Sequence, residues 1–227
     1  MKLNLPTKIT IARIFLAVSL IITVFVLYFL DLYQVINIAS IGNIEVIKGS
    51  KIQVNYIMLI LLAVFAFASF TDFLDGYLAR KYNLITDLGK FLDPLADKML
   101  VNSMLIFLAV GFPSLMAENS LTQTINLTFP FFLVIIMIIR DLIVDSLRFI
   151  AAQKGRVIAA NIFGKGKTVL EMVTIIFILM NGIPFSLFDI NFMPYLHITD
   201  FLCYLTTILS VVSGGIYLKE NFNVFKE

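Results

Sequence analysis

Six apolar stretches, each about the length of a membrane-spanning helix, take up most of this chain. They run roughly over 10–31, 54–78, 94–112, 128–150, 167–185 and 198–218. One span needs ~20 apolar residues, so six need ~120. The chain has 227 residues, 60% of them hydrophobic and 14% charged, enough for six spans with little apolar residue left over. A soluble domain is nearer ~25% charged. A water-soluble globular fold is therefore excluded, as are a disordered chain and a disulfide scaffold, since Cys203 is the only cysteine. Lipid offers no partners to backbone N–H and C=O groups, and the alternating pattern of a membrane barrel is absent, so the spans are expected to be helices. The first stretch is too long for the apolar part of a signal peptide and is read as a retained span. The predicted fold class is all-α, a polytopic membrane protein with six transmembrane helices.

Charge gives the orientation. The N-terminus, the loops after the second and fourth stretches with their helix ends, and the C-terminus hold every lysine and arginine except Lys48 and Lys51, fifteen of 17. Basic residues gather on the cytoplasmic side of membrane proteins, so both termini are predicted to be cytoplasmic. The even number of spans agrees. The outer segments 34–53, 113–127 and 183–197 are polar, and the single histidine, His197, reads as a loop residue. No internal repeat is visible, so residues 1–227 are expected to form one membrane domain.

The acids are the informative residues. Asp72 and Asp75 close the second stretch, and Asp93 and Asp97 open the third. Carboxylates inside a span are costly, so four of them near one loop need a reason. At 100° per residue Asp72, Asp75, Gly76 and Ala79 share one helix face, as do Asp93 and Asp97. Pro94 suits a helix's first turn, with Asp93 as its N-cap. A short loop should make the two helices antiparallel neighbours and bring the four acids together on the cytoplasmic side. Such a group is either partly protonated or holds a cation. Oxygen ligands without histidine or cysteine suit Mg²⁺, Mn²⁺ or Ca²⁺, and four could bridge two ions. Gly76 and Ala79 leave room beside the metals, and Arg80 can offer a fork to phosphate. Together these residue types read as a phosphoryl-transfer site. The plainer alternative is a set of ion pairs between Asp72, Asp75 and Asp87 and the nearby Arg80, Lys81 and Lys90.

Written as a pattern, these residues are Asp-x2-Asp-Gly-x2-Ala-Arg-x8-Gly-x3-Asp-x3-Asp, with Gly89 as the third small residue. That resembles the signature of the CDP-alcohol phosphatidyltransferases at every fixed position. The resemblance implies that Asp72, Asp75, Asp93 and Asp97 ligate metal, two Mg²⁺ or Mn²⁺ ions in all. It implies that Asp97 is also the catalytic base for the acceptor hydroxyl. Gly76 and Ala79 would admit the donor nucleotide, and Arg80 would hold its phosphates. The N-terminal run Pro6-Thr7-Lys8-Ile9-Thr10-Ile11-Ala12-Arg13 is similar to the family's opening, so Thr10 and Arg13 join the donor-binding set. Thr7 stands where the family usually has asparagine. The reaction implied is displacement of CMP from a CDP-linked lipid by an alcohol.

The acceptor is read from a basic cluster. Arg140-Asp141 and Arg148 end the fourth stretch, and Gly164-Lys165-Gly166-Lys167-Thr168 opens the fifth. A phosphorylated acceptor would supply the partner charge for Arg140, Arg148, Lys165 and Lys167. This region, with Ala159-Ala160 before the glycines, resembles the branch of the family whose acceptor is sn-glycerol 3-phosphate and whose product is phosphatidylglycerophosphate. The resemblance places acceptor-phosphate binding on Arg148 and Lys165 first, then on Arg140 and Lys167. Asp141 and Asp145 are expected to pair with Arg140 and Arg148; for Glu171, early in the fifth stretch, a cytoplasmic lysine is a candidate partner that sequence alone does not show. Gly-Lys-Thr echoes a nucleotide-binding loop, but that motif needs glycine where Asn161 stands.

The expected substrates are thus CDP-diacylglycerol and glycerol 3-phosphate, at the cytoplasmic face of the plasma membrane. Membrane lipid is expected as a partner and nucleic acid is not. Gly214-Gly215 suggests a close helix contact, read as the seam of a homodimer. The rivals are the same chemistry on inositol phosphate, serine or phosphatidylglycerol, and, in another class, a cation transporter.

Overall fold

The computed structural model describes residues 5–45, 53–82, 87–116, 128–154, 162–183 and 198–222. The protein is mostly helical. Long helices form over each apolar stretch: α1 (Leu5–Leu32), α2 (Tyr56–Lys81), α3 (Asp87–Val110), α4 (Phe131–Gln153), α5 (Ile162–Leu179) and α6 (Ile198–Asn221). Two of them, over Thr7–Leu32 and Ile198–Asn221, are long and apolar enough to cross a membrane. The chain divides into two compact units, Met1–Asn126 with Leu179–Asn181, and Leu127–Ile178 with Gly182–Glu227.

In the first unit α1 packs on α2 and α3. Its buried face runs Thr7, Thr10, Arg13, Ala17, Leu20, Val24 and Asp31, at helical spacing. The face is apolar in the middle and polar at both ends. The facing stripes behave alike. Leu61, Phe65 and Ala68 of α2 lead into Asp72, and Met104, Leu100 and Ala96 of α3 lead back to Asp97 and Asp93. At the other end of α1, buried Asp31 closes the unit: its Oδ1 accepts from the Ile38 amide at 3.0 Å and its Oδ2 from the Ser114 amide at 2.8 Å.

The helical fold expected from the sequence also holds a short ribbon, in which Asn43–Glu45 (β1) pairs antiparallel with Gln53–Asn55 (β2) between α1 and α2. Buried Asn55 anchors that ladder, donating to the Ile38 carbonyl and to Asn43 Oδ1, both at 3.0 Å. The third helix also starts earlier than expected. It begins at Asp87, and Pro94 lies inside it rather than in its first turn. Proline 94 removes one helical hydrogen bond. The face 93, 97, 100, 104 is nevertheless continuous and packs against α1, which carries the helix across the proline.

In the second unit α4 packs on α6. The buried face of α4 is Val134, Met137, Val144, Leu147 and Ala151, and Arg140-Asp141 fills the gap in that period. The buried face of α6 is Thr199, Cys203, Thr206, Thr207, Ser210, Ser213, Gly214 and Tyr217. Its exposed face is Phe201, Tyr204, Leu205, Ile208, Val211 and Val212. Small and polar inside, apolar outside, is the arrangement a helix adopts when its surroundings are lipid. Thr174 of α5 and Thr206 of α6 share a buried hydrogen bond of 2.8 Å.

Candidate active site

Among the described residues, each unit brings ionisable groups together across helices. In the first, three helices contribute. Arg13 of α1 forms an ion pair with Asp72 of α2 and a second, at 3.4 Å, with Asp97 of α3. One turn earlier on α1, Thr10 Oγ1 donates to Asp93 Oδ1 at 2.9 Å. The guanidinium is sealed inside, with 1% of its side chain exposed, whereas Asp97 is 43% exposed. A buried cation thus holds the inner side of an acid group whose outer side is open. Among the described residues the cluster has three carboxylates and one guanidinium, so negative charge is in excess.

Asp72, Asp93 and Asp97 are therefore brought together, as the motif spacing predicts: Arg13 pairs with Asp72 and Asp97, and Thr10 bonds Asp93. The alternative pairings of Asp75 and Asp87 with Arg80 and Lys90 fall on side chains outside the described residues. The helical backbone at Asp75, Ala79 and Arg80 belongs to α2, but their side chains lie outside the described residues. Gly76 is half-buried on the same helix. The donor chemistry fits a hard divalent cation, since carboxylate oxygens are the only ligands offered. Among the described residues no three such ligands already form a cage, and Arg13 sits among them.

The second cluster is closed. Lys167 of α5 bonds both oxygens of Asp141, at 2.9 and 2.7 Å, and pairs with Glu171 Oε2 at 2.9 Å. Lys167 and Glu171 are only 4% and 3% exposed. Arg140 Nη1 donates to Asp141 at 2.9 Å, its Nε to the Ser210 carbonyl at 2.9 Å, and its Nη2 to Ser213 Oγ at 2.7 Å. Two cations meet two anions, and the sum is zero.

Of the four basic residues expected at the acceptor, two remain outside that network. Arg148 is exposed, and its Nε donates to Tyr217 Oη at 2.9 Å. Lys165, one residue from an open-faced Gly164, is also exposed. Ala159 and Ala160 lie outside the described residues, as does His197.

The sequence pattern of the CDP-alcohol phosphatidyltransferase family matches residues 3–212, across both units. The chain belongs to that family. It is 36% identical over 225 residues to the CDP-diacylglycerol–glycerol-3-phosphate 3-phosphatidyltransferase of Bacillus subtilis, covering 98% of this chain and 97% of that one. It is 35% identical over 228 residues to the enzyme of the same name from Mycoplasma pneumoniae, covering 98% and 89%. A third of that name, from Mycoplasma genitalium, is 38% identical over 176 residues, 78% of this chain and 64% of that one.

For a phosphatidyltransferase, a membrane protein, the four basic residues expected at the acceptor divide in two. Arg140 and Lys167 spend their donors on internal partners. Arg148 gives its Nε to Tyr217, and among the described residues its Nη nitrogens and the ammonium of Lys165 have no hydrogen-bond partner. Asp141 finds Arg140, as expected, and Glu171, whose partner the sequence alone did not show, pairs with Lys167 at i−4. Ser210, Ser213 and Tyr217 were not singled out by the sequence reading, although their spacing along α6 tracks the interval between Arg140 and Arg148 on α4.

Proposed function

We propose that this phosphatidyltransferase moves the phosphatidyl group of CDP-diacylglycerol to sn-glycerol 3-phosphate, giving phosphatidylglycerophosphate and CMP. The observation that carries the reading is the gathering of Asp72, Asp93 and Asp97 from two helices around Thr10 and Arg13 of a third. Similarity along the whole chain to relatives of that name supports the choice of acceptor.

In this reading Asp97, whose side chain is more exposed than that of Asp72, accepts the proton of the acceptor hydroxyl. The hydroxyl oxygen attacks the phosphatidyl phosphorus, a new P–O bond forms, and the bond to CMP breaks with its electron pair leaving on CMP. Asp72, Asp75, Asp93 and Asp97 would hold Mg²⁺ or Mn²⁺, two ions in all, which supply positive charge against the diphosphate. Arg13 and Thr10 fix the carboxylates from behind. Gly76 and Ala79 give the nucleotide a close approach, and Arg80 holds its phosphates. Arg148 and Lys165 bind the acceptor phosphate, while Arg140 and Lys167 set the frame on which they stand.

The same reading has six membrane spans, both termini and the site on the cytoplasmic side of the plasma membrane, and both units acting as one domain. The chain works as a homodimer, with Gly215, where an added Cβ would meet nothing within 4 Å, on an open face of α6 for a second copy.

The test is CMP release by the purified chain in detergent with CDP-diacylglycerol and Mg²⁺ or Mn²⁺. Release should need both the metal and glycerol 3-phosphate. Release with serine, inositol phosphate or phosphatidylglycerol instead would keep the chemistry and overturn the acceptor. No release with any acceptor from folded protein would overturn the transferase reading.

A further inference from the structure

We infer that Tyr217 is a positioning residue for the acceptor phosphate, acting through Arg148. This rests on the reading of Arg148 as an acceptor ligand. An arginine on a helix surface has several rotatable bonds, and binding a phosphate freezes them. Arg148 is held before any ligand arrives. Its Nε donates to Tyr217 Oη at 2.9 Å, and its guanidinium carbon lies 5.1 Å from the centre of the same ring. The hydrogen bond fixes one corner of the fork, and the ring contact restrains the plane.

The tyrosine is itself immobile. It is buried, packed with Val144 and Leu147 of α4 and against Leu218. Its ring therefore connects the core of the second unit to an exposed cation. Tyrosine suits this place because one end is apolar and the other accepts a hydrogen bond. With Nε committed to Tyr217, the Nη1–Nη2 edge of Arg148 remains, and among the described residues nothing bonds it. That edge has two parallel N–H groups, the geometry that matches two phosphate oxygens. Arg140, eight residues earlier on α4, shows the opposite arrangement: its Nε and both its Nη nitrogens are consumed by Ser210, Ser213 and Asp141. Tyr217 is thus what leaves one of two arginines on the same helix oriented and available for an anionic acceptor.

The experiment measures steady-state CMP release with glycerol 3-phosphate varied at saturating CDP-diacylglycerol, and then the reverse. Tyr217→Phe keeps the ring and removes only the hydroxyl. It should raise the KM for glycerol 3-phosphate about fivefold, on the order of one ordinary hydrogen bond, and change kcat and the donor KM less than about twofold. In an Arg148→Met background the same substitution should add nothing. Arg148→Lys, which keeps the charge and loses the Nε donor, should raise the acceptor KM, again with no further rise from Tyr217→Phe. This second pair keeps the test decisive if Tyr217→Phe alone folds poorly. An unchanged acceptor KM in Tyr217→Phe, with Arg148→Met raising it, overturns the positioning role and leaves the acceptor reading standing. An equal rise in both backgrounds makes Tyr217 merely structural and also overturns it. An unchanged KM in Arg148→Met removes the acceptor reading itself.

Discussion

The two charged clusters of this protein are built from the same residue types and differ in arithmetic. In the first unit, among the described residues, Asp72 and Asp97 meet the one guanidinium of Arg13 and Asp93 meets Thr10; Asp72 and Asp97 are partly exposed, and Arg13 is sealed behind them. In the second, Arg140 and Lys167 meet Asp141 and Glu171, and all four are inside. Ionisable groups in an apolar setting are costly unless paired. A balanced buried set meets that condition by itself and acts as a strut between helices. An unbalanced set with an open side has capacity left for a cation or a proton. Within one chain, charge balance therefore separates frame from chemistry more sharply than residue type does.

The largest effect expected from this difference is kinetic. Asp97→Asn keeps the shape and removes a proton acceptor from the open cluster. CMP release should fall by ~10²–10⁴, the usual worth of a positioned base, with donor binding partly retained. Asp141→Asn, in the closed cluster, should leave kcat within about tenfold of the parent. The comparison breaks if Asp141→Asn is the dead variant and Asp97→Asn the mild one.

The next effect is on stability, and it tests balance directly. Lys167→Met leaves Asp141 and Glu171 facing Arg140 alone, an uncompensated buried charge worth ~3 kcal/mol or more. Its thermal midpoint in detergent should drop clearly. Adding Glu171→Leu restores neutrality through the remaining Arg140–Asp141 pair, so the double variant should melt above Lys167→Met. A double variant that melts lower than either single one would show that each pair acts on its own and that balance is not the governing quantity.

Much of this was legible in the sequence where the information is local. The acids follow from spacing along two helices, and the pairing of Asp141 with Arg140 follows from their adjacency. The long helices follow from the length of the apolar stretches. Pairings across the sequence were not legible. Arg13 meets Asp72, 59 positions away, and Arg140 meets Ser213, 73 away, only because particular helices pack together. One signal was available and went unused: positions 134, 137, 144, 147 and 151 are a helical period whose missing step is Arg140-Asp141, so that pair belongs to the packed face. Arg148, next to Leu147 and off that face, belongs outside. Pro94 misled for a related reason. A proline preference describes an isolated helix end, whereas a long packed face holds a helix through one lost hydrogen bond.

The smallest effect separates two adjacent glycines and sharpens how firmly the frame is held. A Cβ on Gly214 would come within 2.8 Å of Arg140 Nε and 2.9 Å of its Cγ, whereas one on Gly215 meets nothing within 4 Å. Arginine side chains ordinarily swing aside, but Arg140 is bonded to Ser210 and Ser213 on the same stretch of α6. Alanine in a helix interior gains up to ~1 kcal/mol over glycine, and overpacking costs ~1–3 kcal/mol. Gly214→Ala should therefore lower the thermal midpoint slightly, and Gly215→Ala should leave it unchanged or raise it. If Gly214→Ala also gains, Arg140 is free to move, and the closed cluster is looser than its hydrogen bonds imply. If Gly215→Ala loses stability and the loss disappears on dilution to monomers, that face of α6 is where a second copy packs. The glycine pair then does two jobs, one turned inward to an arginine and one turned outward to a neighbour.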